Sequence, residues 1–376
     1  MAEVGVIFGG PSPEHDVSVL TGLQAARELA GSLGHAVHGL YWTKAGDWFE
    51  VAPTLEGSDF LQGTPTSAQP LRLVVGPSGG FMAEGKRLGR DRSLNLEVVV
   101  VCCHGGPGED GSLQAVLDLS GLRYTGPSAA GAALGIDKLV FHAVVSAAGL
   151  PTLPRILLTS DTADVRFPGP YIVKPRCGGS SIGVEVVHDL DAAKVLLASS
   201  VHLANGAVLE PYRSDFYDLQ VAVRAWPELA VSAIERPLRT RRAGGAAGEP
   251  EILGYVDKYA GGEGMVSAPR ELPAVIAGNL QEQLEEAALT VAEISGLRGV
   301  ARIDFLSDGT ELVVNEVNTI PGSLARYLWV DPIVSFSALL QDLLDEARNR
   351  PTQRLISAGA DGSVLKGASS IAAKLA

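Results

Sequence analysis

Two short stretches near the carboxyl end hold the residues best suited to chemistry: Arg302-Ile303-Asp304-Phe305 and Asn315-Glu316-Val317-Asn318. In a strand, side chains two positions apart share a face. Arg302 therefore projects with Asp304, and Glu316 with Asn318. If the two strands pair, Asp304, Glu316 and Asn318 converge as three hard oxygen donors, a set that suits Mg²⁺ and leaves positions for waters and nucleotide phosphates. The alternative for the same acids is a solvated strand face. Lys174 ends an apolar run, and Cys177-Gly178-Gly179-Ser180-Ser181 follows, a loop able to fold over phosphates and offer backbone N–H groups while the lysine supplies a point charge. Lys138 lies on the preceding helical segment. The Walker A pattern is absent. Gly106-Pro107-Gly108-Glu109-Asp110-Gly111 does spell the dinucleotide fingerprint. Pro107 removes a donor from that turn, however, and Glu109 and Asp110 would repel a pyrophosphate.

The elements that position these residues follow from periodicity. Val4–Phe8, Ala36–Tyr41 and Glu97–Cys103 read as strands, with helices over Asp16–Ala30 and Gly111–Leu119, so the first third should be a mostly parallel sheet covered by helices. In such sheets ligands bind past the carboxyl ends of the strands, where both glycine-rich turns lie. A boundary falls near Tyr124–Pro127, and a helix carrying Asp137 and Lys138 follows. Strands Tyr171–Lys174, Gly183–Val187, Ala207–Glu210 and Leu219–Arg224 are more antiparallel in character. Arg239–Pro250 reads as an exposed hairpin loop or lid edge. Helix Leu280–Ser295, strands Val300–Phe305 and Glu311–Val317, and helix Val334–Arg348 complete the pattern, and beyond Pro351 the chain is weakly patterned. The expected fold is α/β, turning α+β later. Its divisions are 1–125, 126–218, 219–348 and a tail, 349–376.

Composition narrows the function classes. With 376 residues, 46% hydrophobic and 19% charged, the chain is globular, and a net charge of -13 disfavours nucleic acid. A cationic pocket for a phosphorylated small molecule must be built against that field. Three cysteines, two of them adjacent at Cys102 and Cys103, make no disulfide framework. Without a leader-like opening or an apolar run of membrane length, a cytoplasmic protein with no membrane partner is expected. His15, His35, His38, His142, His188 and His202 show no metal-ligand spacing and receive no role.

Taken in order, the motifs resemble the D-alanine–D-alanine ligases of the ATP-grasp superfamily. They are Phe8–Ser18, His104–Gln114, Tyr124–Gly126, Asp137–Leu139, Val173–Pro175 with Gly179–Gly183, Asp257–Tyr259, Arg302–Asp304 and Asn315–Gly322, over about residues 4 to 345. The resemblance implies an N-terminal parallel-sheet subdomain and two ATP-grasp subdomains enclosing ATP, in an ADP-forming ligase that acts through an acyl phosphate. It also implies amino-acid substrates, a homodimer, and Mg²⁺, as two ions for which Mn²⁺ can substitute. By the same resemblance Lys138, Lys174 and Lys258 contact phosphates, Glu210 holds the adenine edge and Asp218 the ribose. Glu14 meets the first substrate's ammonium, with Ser180 and Tyr259 as hydrogen-bonding partners, and His104 lies near that substrate's carboxylate. Arg302 and the Gly322 N–H face the oxyanion, and Asp304, Glu316 and Asn318 hold the metal.

The match departs after Pro321-Gly322. The family continues with Thr or Ser and a later Ser that helps bind the second substrate's carboxylate, whereas this chain reads Ser323-Leu324-Ala325-Arg326-Tyr327-Leu328-Trp329. Ser323 and Arg326 are the candidate replacements. D-alanine as both substrates is the leading reading, followed by a ligase of the same fold with another acceptor. A nicotinamide-dependent oxidoreductase, resting on Gly106–Gly111, and a non-catalytic nucleotide-binding protein are the other readings.

Overall fold

A computed structural model describes residues 3–76, 78–85, 91–238, 269–276, 278–352, 358–359 and 362–366. Strand β1 (Glu3–Gly9) is buried except at its first residue, and helix α1 (His15–Gly31) follows it. The buried positions of α1 include His15, Val19, Leu23, Ala26 and Leu29, the three-and-four spacing of one apolar stripe. Next come β2 (Ala36–Trp42), β3 (Trp48–Val51), β4 (Gln69–Val74), β5 (Gly80–Ala83), β6 (Arg92–Ser93) and β7 (Val98–Val101).

These strands form one sheet in the order β6-β5-β4-β3-β2-β1-β7. Only β2, β1 and β7 run parallel, and β3 to β6 extend the sheet as an antiparallel meander. The mostly parallel sheet expected from the sequence is corrected to that extent. The meander strands have half-exposed faces with weak alternation, β4 burying only Leu71, so they lack the continuous apolar signal of β1 and β7.

Short helices α2 (Gly106–Glu109) and α3 (Ser112–Leu119) lead to α4 (Ala129–Ile136) and α5 (Lys138–Ala147). Asp137 ends α4 and caps α5, its Oδ1 accepting the Leu139 and Val140 N–H groups at 3.0 and 3.2 Å. Asp137 and Lys138 thus sit at a helix junction rather than inside one helix. Strands β8 (Ile156–Leu158), β9 (Tyr171–Pro175), β10 (Glu185–Val187) and β11 (Ala207–Pro211) form an antiparallel sheet backed by α6 (Leu190–Ser199). A third sheet pairs β12 (Tyr217–Arg224), β13 (Ala230–Val231), β16 (Val300–Ser307) and β17 (Leu312–Asn318) in the order β13-β12-β16-β17. Between its strands lie the two-stranded β14 (Arg236–Pro237) and β15 (Arg270–Glu271), and α7 (Leu280–Ile294).

Chain order and packing order differ. Phe141 and Val145 of α5 join α7 in the core of the third sheet. The last long helix, α8 (Phe336–Asn349), returns Leu339, Leu340, Leu343 and Leu344 to the core of the first sheet. The expected lid edge at 239–250 lies outside the described residues, as does most of the tail.

The contact of α1 with β1 leaves no room for a side chain at Gly22: a Cβ there would lie 2.3 Å from Phe8 Cβ, and Phe8 is fully buried. Gly22→Ala should therefore destabilise the protein by about 1–3 kcal/mol through overpacking. Urea unfolding measures this as a lower midpoint with unchanged slope. An unchanged midpoint would refute the close approach.

Candidate active site

The second and third sheets face each other across a cleft with about 930 Å³ of open space, and Lys138, Lys174, Glu210, Asp218, Asp304 and Glu316 all line it. Antiparallel pairing of β16 with β17 sets Asp304 directly opposite Glu316 and Arg302 opposite Asn318. The expected convergence is therefore observed. Asn318 Nδ2 donates to Asp304 Oδ2 at 3.2 Å, and Arg302 grips Asp304 through Nε–Oδ1 at 2.6 Å and Nη2–Oδ2 at 2.8 Å. Like charges directly opposite in a sheet repel. Here Arg302 compensates Asp304, and Lys138 Nζ lies 3.7 Å from Glu316 Oε2. Two carboxylates and one amide oxygen beside a cleft form a hard, incomplete donor set, which fits Mg²⁺ completed by phosphate oxygens and water.

A bulge after Asp304 shifts the register so that Phe305 pairs with Val314. Asn315 and Glu316 consequently both line the cleft, although strand alternation would separate them. Asn315 Oδ1 accepts from Lys174 Nζ at 3.2 Å. Alternation in the sequence misses Asn315 for this reason.

Glu210 lines the cleft and sits between two cations. Its carboxylate is buried, with Arg155 Nε 2.7 Å from Oε1 and Lys174 Nζ 3.0 Å from Oε2. The side chain anchors two cations at the wall of the cleft. Burial pushes its pKa up, but Arg155 and Lys174 override that and hold it at about 2. Arg155, which the sequence did not single out, also donates to the carbonyls of Lys138 at 2.6 Å and Asn315 at 3.2 Å. It ties the helix bearing one cleft lysine to the strand that carries Glu316. Burial pushes the Lys138 pKa down, against the pull of Glu316.

The glycine-rich loop reaches the first sheet's side of the site. Ser180 Oγ donates to Glu14 Oε1, and Lys138 Nζ donates to the Gly178 carbonyl. Ser180 and Ser181 hold φ of 53° and 57°, a left-handed conformation costly for residues with a Cβ. Glu14 is closely confined: a Cβ on Gly105 would lie 2.3 Å from its Oε2, and one on Gly179 3.1 Å. Glu14 and Ser180 meet as expected, while Tyr259 and Lys258 lie outside the described residues.

His104 is buried with both ring nitrogens engaged. Nδ1–H donates to the Ile320 carbonyl at 2.6 Å, and Nε2 lies 2.8 Å from Thr21 Oγ1. Thr21 Oγ1 in turn accepts the Ser323 N–H at 3.1 Å. Burial, helped by Arg302, lowers the His104 pKa and keeps the ring neutral, against Glu14 and the Ile320 carbonyl. Neutrality makes Nε2 an acceptor for the Thr21 hydroxyl. His104 thus belongs to a relay that fastens the turn at Gly322–Leu328.

Glu109 fastens the same segment. Its carboxylate accepts the Gly105 and Ile320 N–H groups, each at 2.9 Å, and the Thr319 hydroxyl at 3.2 Å. Burial and the nearby Glu14 push its pKa up to about 7 against those hydrogen bonds. This acid fills the turn that imitates a dinucleotide fingerprint, so that turn is a clamp and not a phosphate cradle. Gly322 borders open space, with no atom within 4 Å of where a Cβ would stand. The Arg326 guanidinium lies 5.5 Å over Phe336 and within electrostatic range of Glu28, on the side of α1 and α8.

Two family models cover nearly the whole chain. The one described as D-ala D-ala ligase N-terminus matches residues 3–127, and the one described as D-ala D-ala ligase C-terminus matches residues 133–345. The chain belongs to the D-alanine–D-alanine ligase family. A D-alanine–D-alanine ligase of Pelodictyon phaeoclathratiforme is 32% identical over 85% of this chain and 89% of its own length. One of Chlorobium limicola is 29% identical, covering 93% and 97%. Among solved structures, the VanG D-Ala:D-Ser ligase of Enterococcus faecalis superposes with a TM-score of 0.73 at 25% identity, over 92% of this chain and 99% of that one. The D-alanine–D-alanine ligase of Coxiella burnetii, at 20% identity and a TM-score of 0.74 over 93% and 94%, shows the shared fold. Membership excludes the oxidoreductase reading. Among the described residues no helix is long and apolar enough to cross a membrane.

The Arg155–Glu210–Lys174 triad yields a pH-dependent prediction. A carboxyl whose folded pKa lies near 2, below its ordinary 4.5, contributes stability that is fully present above 4.5 and lost as pH falls toward 2. Glu210→Gln leaves two buried cations without their carboxylate and should cost about 3–5 kcal/mol at pH 7. Urea unfolding should show that deficit shrinking between about pH 5 and 3. A deficit constant across that range would exclude the triad as its source.

Proposed function

We propose that this ligase joins two D-alanine molecules, activating the carboxylate of the first with ATP and passing its acyl group to the amine of the second, for peptidoglycan precursors. The pairing of Asp304 with Glu316 beside Lys138 and Lys174 in one cleft, with Asn318 hydrogen-bonded to Asp304, is the observation that carries this reading. A carboxylate is a poor electrophile. Transfer of the γ-phosphoryl group breaks its bond to ADP, forms a carboxyl O–P bond, and supplies a leaving group. Positioning and charge neutralisation account for most of the catalysis of such a transfer. Lys138 and Lys174 face the phosphates, with Lys258 as a third by family resemblance, and Asp218 serves the ribose. Divalent ions held by Asp304, Glu316 and Asn318, two in number and replaceable by Mn²⁺, would neutralise charge on the transferring group.

Glu14 receives the first substrate's ammonium, with Ser180 and Tyr259 as partners. When the second amine attacks, Arg302 and the Gly322 N–H stabilise the oxyanion; the C–O bond then breaks and phosphate departs. His104 acts at one remove, by holding the Gly322 turn. The acyl phosphate hydrolyses readily, so a closed cover that excludes water serves the reaction. The contact of Ser180 with Glu14 is one such closure. The enzyme works in the cytoplasm as a homodimer. The departure at 323–329 favours a second reading, in which another amino acid replaces the second D-alanine.

Incubation with ATP, Mg²⁺ and single amino acids, followed by ADP and dipeptide assays, tests both readings. ADP release requiring D-alanine, with D-alanyl-D-alanine as product, is expected. Release only when a different acceptor is added would replace the first reading by the second. Glu316→Gln should lower kcat by about 100-fold or more, because ligand charge supports several kcal/mol of transition-state stabilisation. Full activity in that variant would discard the metal assignment.

A further inference from the structure

Lys174 stands in the cleft beside an acid that weakens it. Its Nζ lies 3.0 Å from Glu210 Oε2, and a lysine paired so closely with a carboxylate presents little net charge to a phosphate. The Glu210 side chain is 1% exposed, so salt and water screen the pair poorly. A second cation changes this balance. Arg155, just ahead of β8, brings Nε to 2.7 Å from the other carboxylate oxygen, Oε1. Glu210 is ionised at neutral pH, so the three side chains hold two positive charges and one negative. One positive charge remains uncancelled.

Position decides which cation keeps it. Among the described residues that line the cleft, Lys174 is present and Arg155 is not. The other guanidinium nitrogens of Arg155 are engaged too, Nη1 donating to the Lys138 carbonyl at 2.6 Å and Nη2 to the Asn315 carbonyl at 3.2 Å. Held at all three nitrogens, the guanidinium cannot turn toward a nucleotide. Lys174 has a flexible stem, and its remaining contact is with a neutral group, Asn315 Oδ1, at 3.2 Å. The uncancelled charge is therefore delivered into the cleft at Lys174.

Stability alone does not require an arginine here. Buried ion pairs contribute little net stability, because desolvating the charges offsets their attraction. A neutral donor at position 155 could satisfy the same two carbonyls. The chain as a whole carries a net charge of -13, so a polyphosphate approaches against an unfavourable field. A local positive excess at the cleft wall answers that need.

We propose that Arg155 is a positioning residue for nucleotide binding, which, as the fixed counterion of Glu210, leaves the charge of Lys174 available to the phosphates. This rests on the ligase reading above and adds to it a residue that acts on ATP only through its neighbours.

Isothermal titration calorimetry with Mg²⁺ present tests this by comparing ATP with adenosine, which lacks the phosphates. Arg155→Met should weaken ATP binding by about tenfold or more and leave adenosine affinity unchanged. Arg155→Lys keeps the charge and loses the planar fork, and should bind ATP within about threefold of the wild type. In the double variant Arg155→Met, Glu210→Gln the acid disappears with its counterion, so ATP affinity should return toward the wild-type value. A purely structural tie predicts the reverse: the lysine variant would resemble the methionine one, and the double variant would bind worse than either single variant. Either result would overturn the proposal, as would equal losses for ATP and adenosine. If Arg155→Met does not fold, the lysine and double variants carry the comparison with the wild type. A wild-type protein that binds no ATP would sink the ligase reading itself, and the proposal with it.

Discussion

The site depends on one pairing, that of β16 with β17, which sets Asp304 against Glu316 and Arg302 against Asn318. Two carboxylates side by side on a low-dielectric surface are costly unless cations approach them. The surrounding architecture supplies that compensation: Arg302 along the same strand and Lys138 from a helix start. A pair already balanced by fixed cations is poised for polyphosphate and a divalent ion, because both extend the same alternation of charge.

Around this centre the three sheets are joined by buried polar contacts between residues far apart in sequence. Glu109 and His104 of the first sheet's loop hold Ile320 of the third sheet's loop, and Thr21 of α1 holds Ser323. Arg155 links α5 to β17 and to Glu210 of the second sheet. Each such group would be expensive to bury unpaired, so the network is stable only when all three layers are assembled together. That cooperativity fixes the Gly322–Leu328 turn relative to Asp304 and Glu316. It also accommodates the left-handed backbone of Ser323, Leu324 and Ala325, with φ near 50°.

Parts of this were legible in the linear chain. The apolar runs of β1, β7 and β16 and the helical stripe of α1 announce themselves because full burial demands unbroken apolar side chains or regular spacing. The two-residue alternation at 302–304 and 316–318 was enough to group Arg302 with Asp304 and Glu316 with Asn318. Short half-exposed strands such as β4 to β6 carry little pattern, and Arg155 has no neighbour in sequence to mark it as the partner of Glu210. Asn315 escaped because a bulge breaks the alternation on which its orientation would be judged. The Gly106–Gly111 stretch shows the converse: a spacing of glycines fixes where a backbone can turn, and the surroundings decide what fills the turn.

The sequence by itself determined which side chains share a strand face, where turns can form, and which family the motifs resemble, since these follow from local sterics and residue chemistry. Tertiary structure decided which ions pair. It assigned Glu210 to Arg155 and Lys174, Glu109 to the Ile320 amide, and Arg270 to Glu235. Coulomb and hydrogen-bond energies depend on distance and burial through space, and separation along the chain does not encode either one.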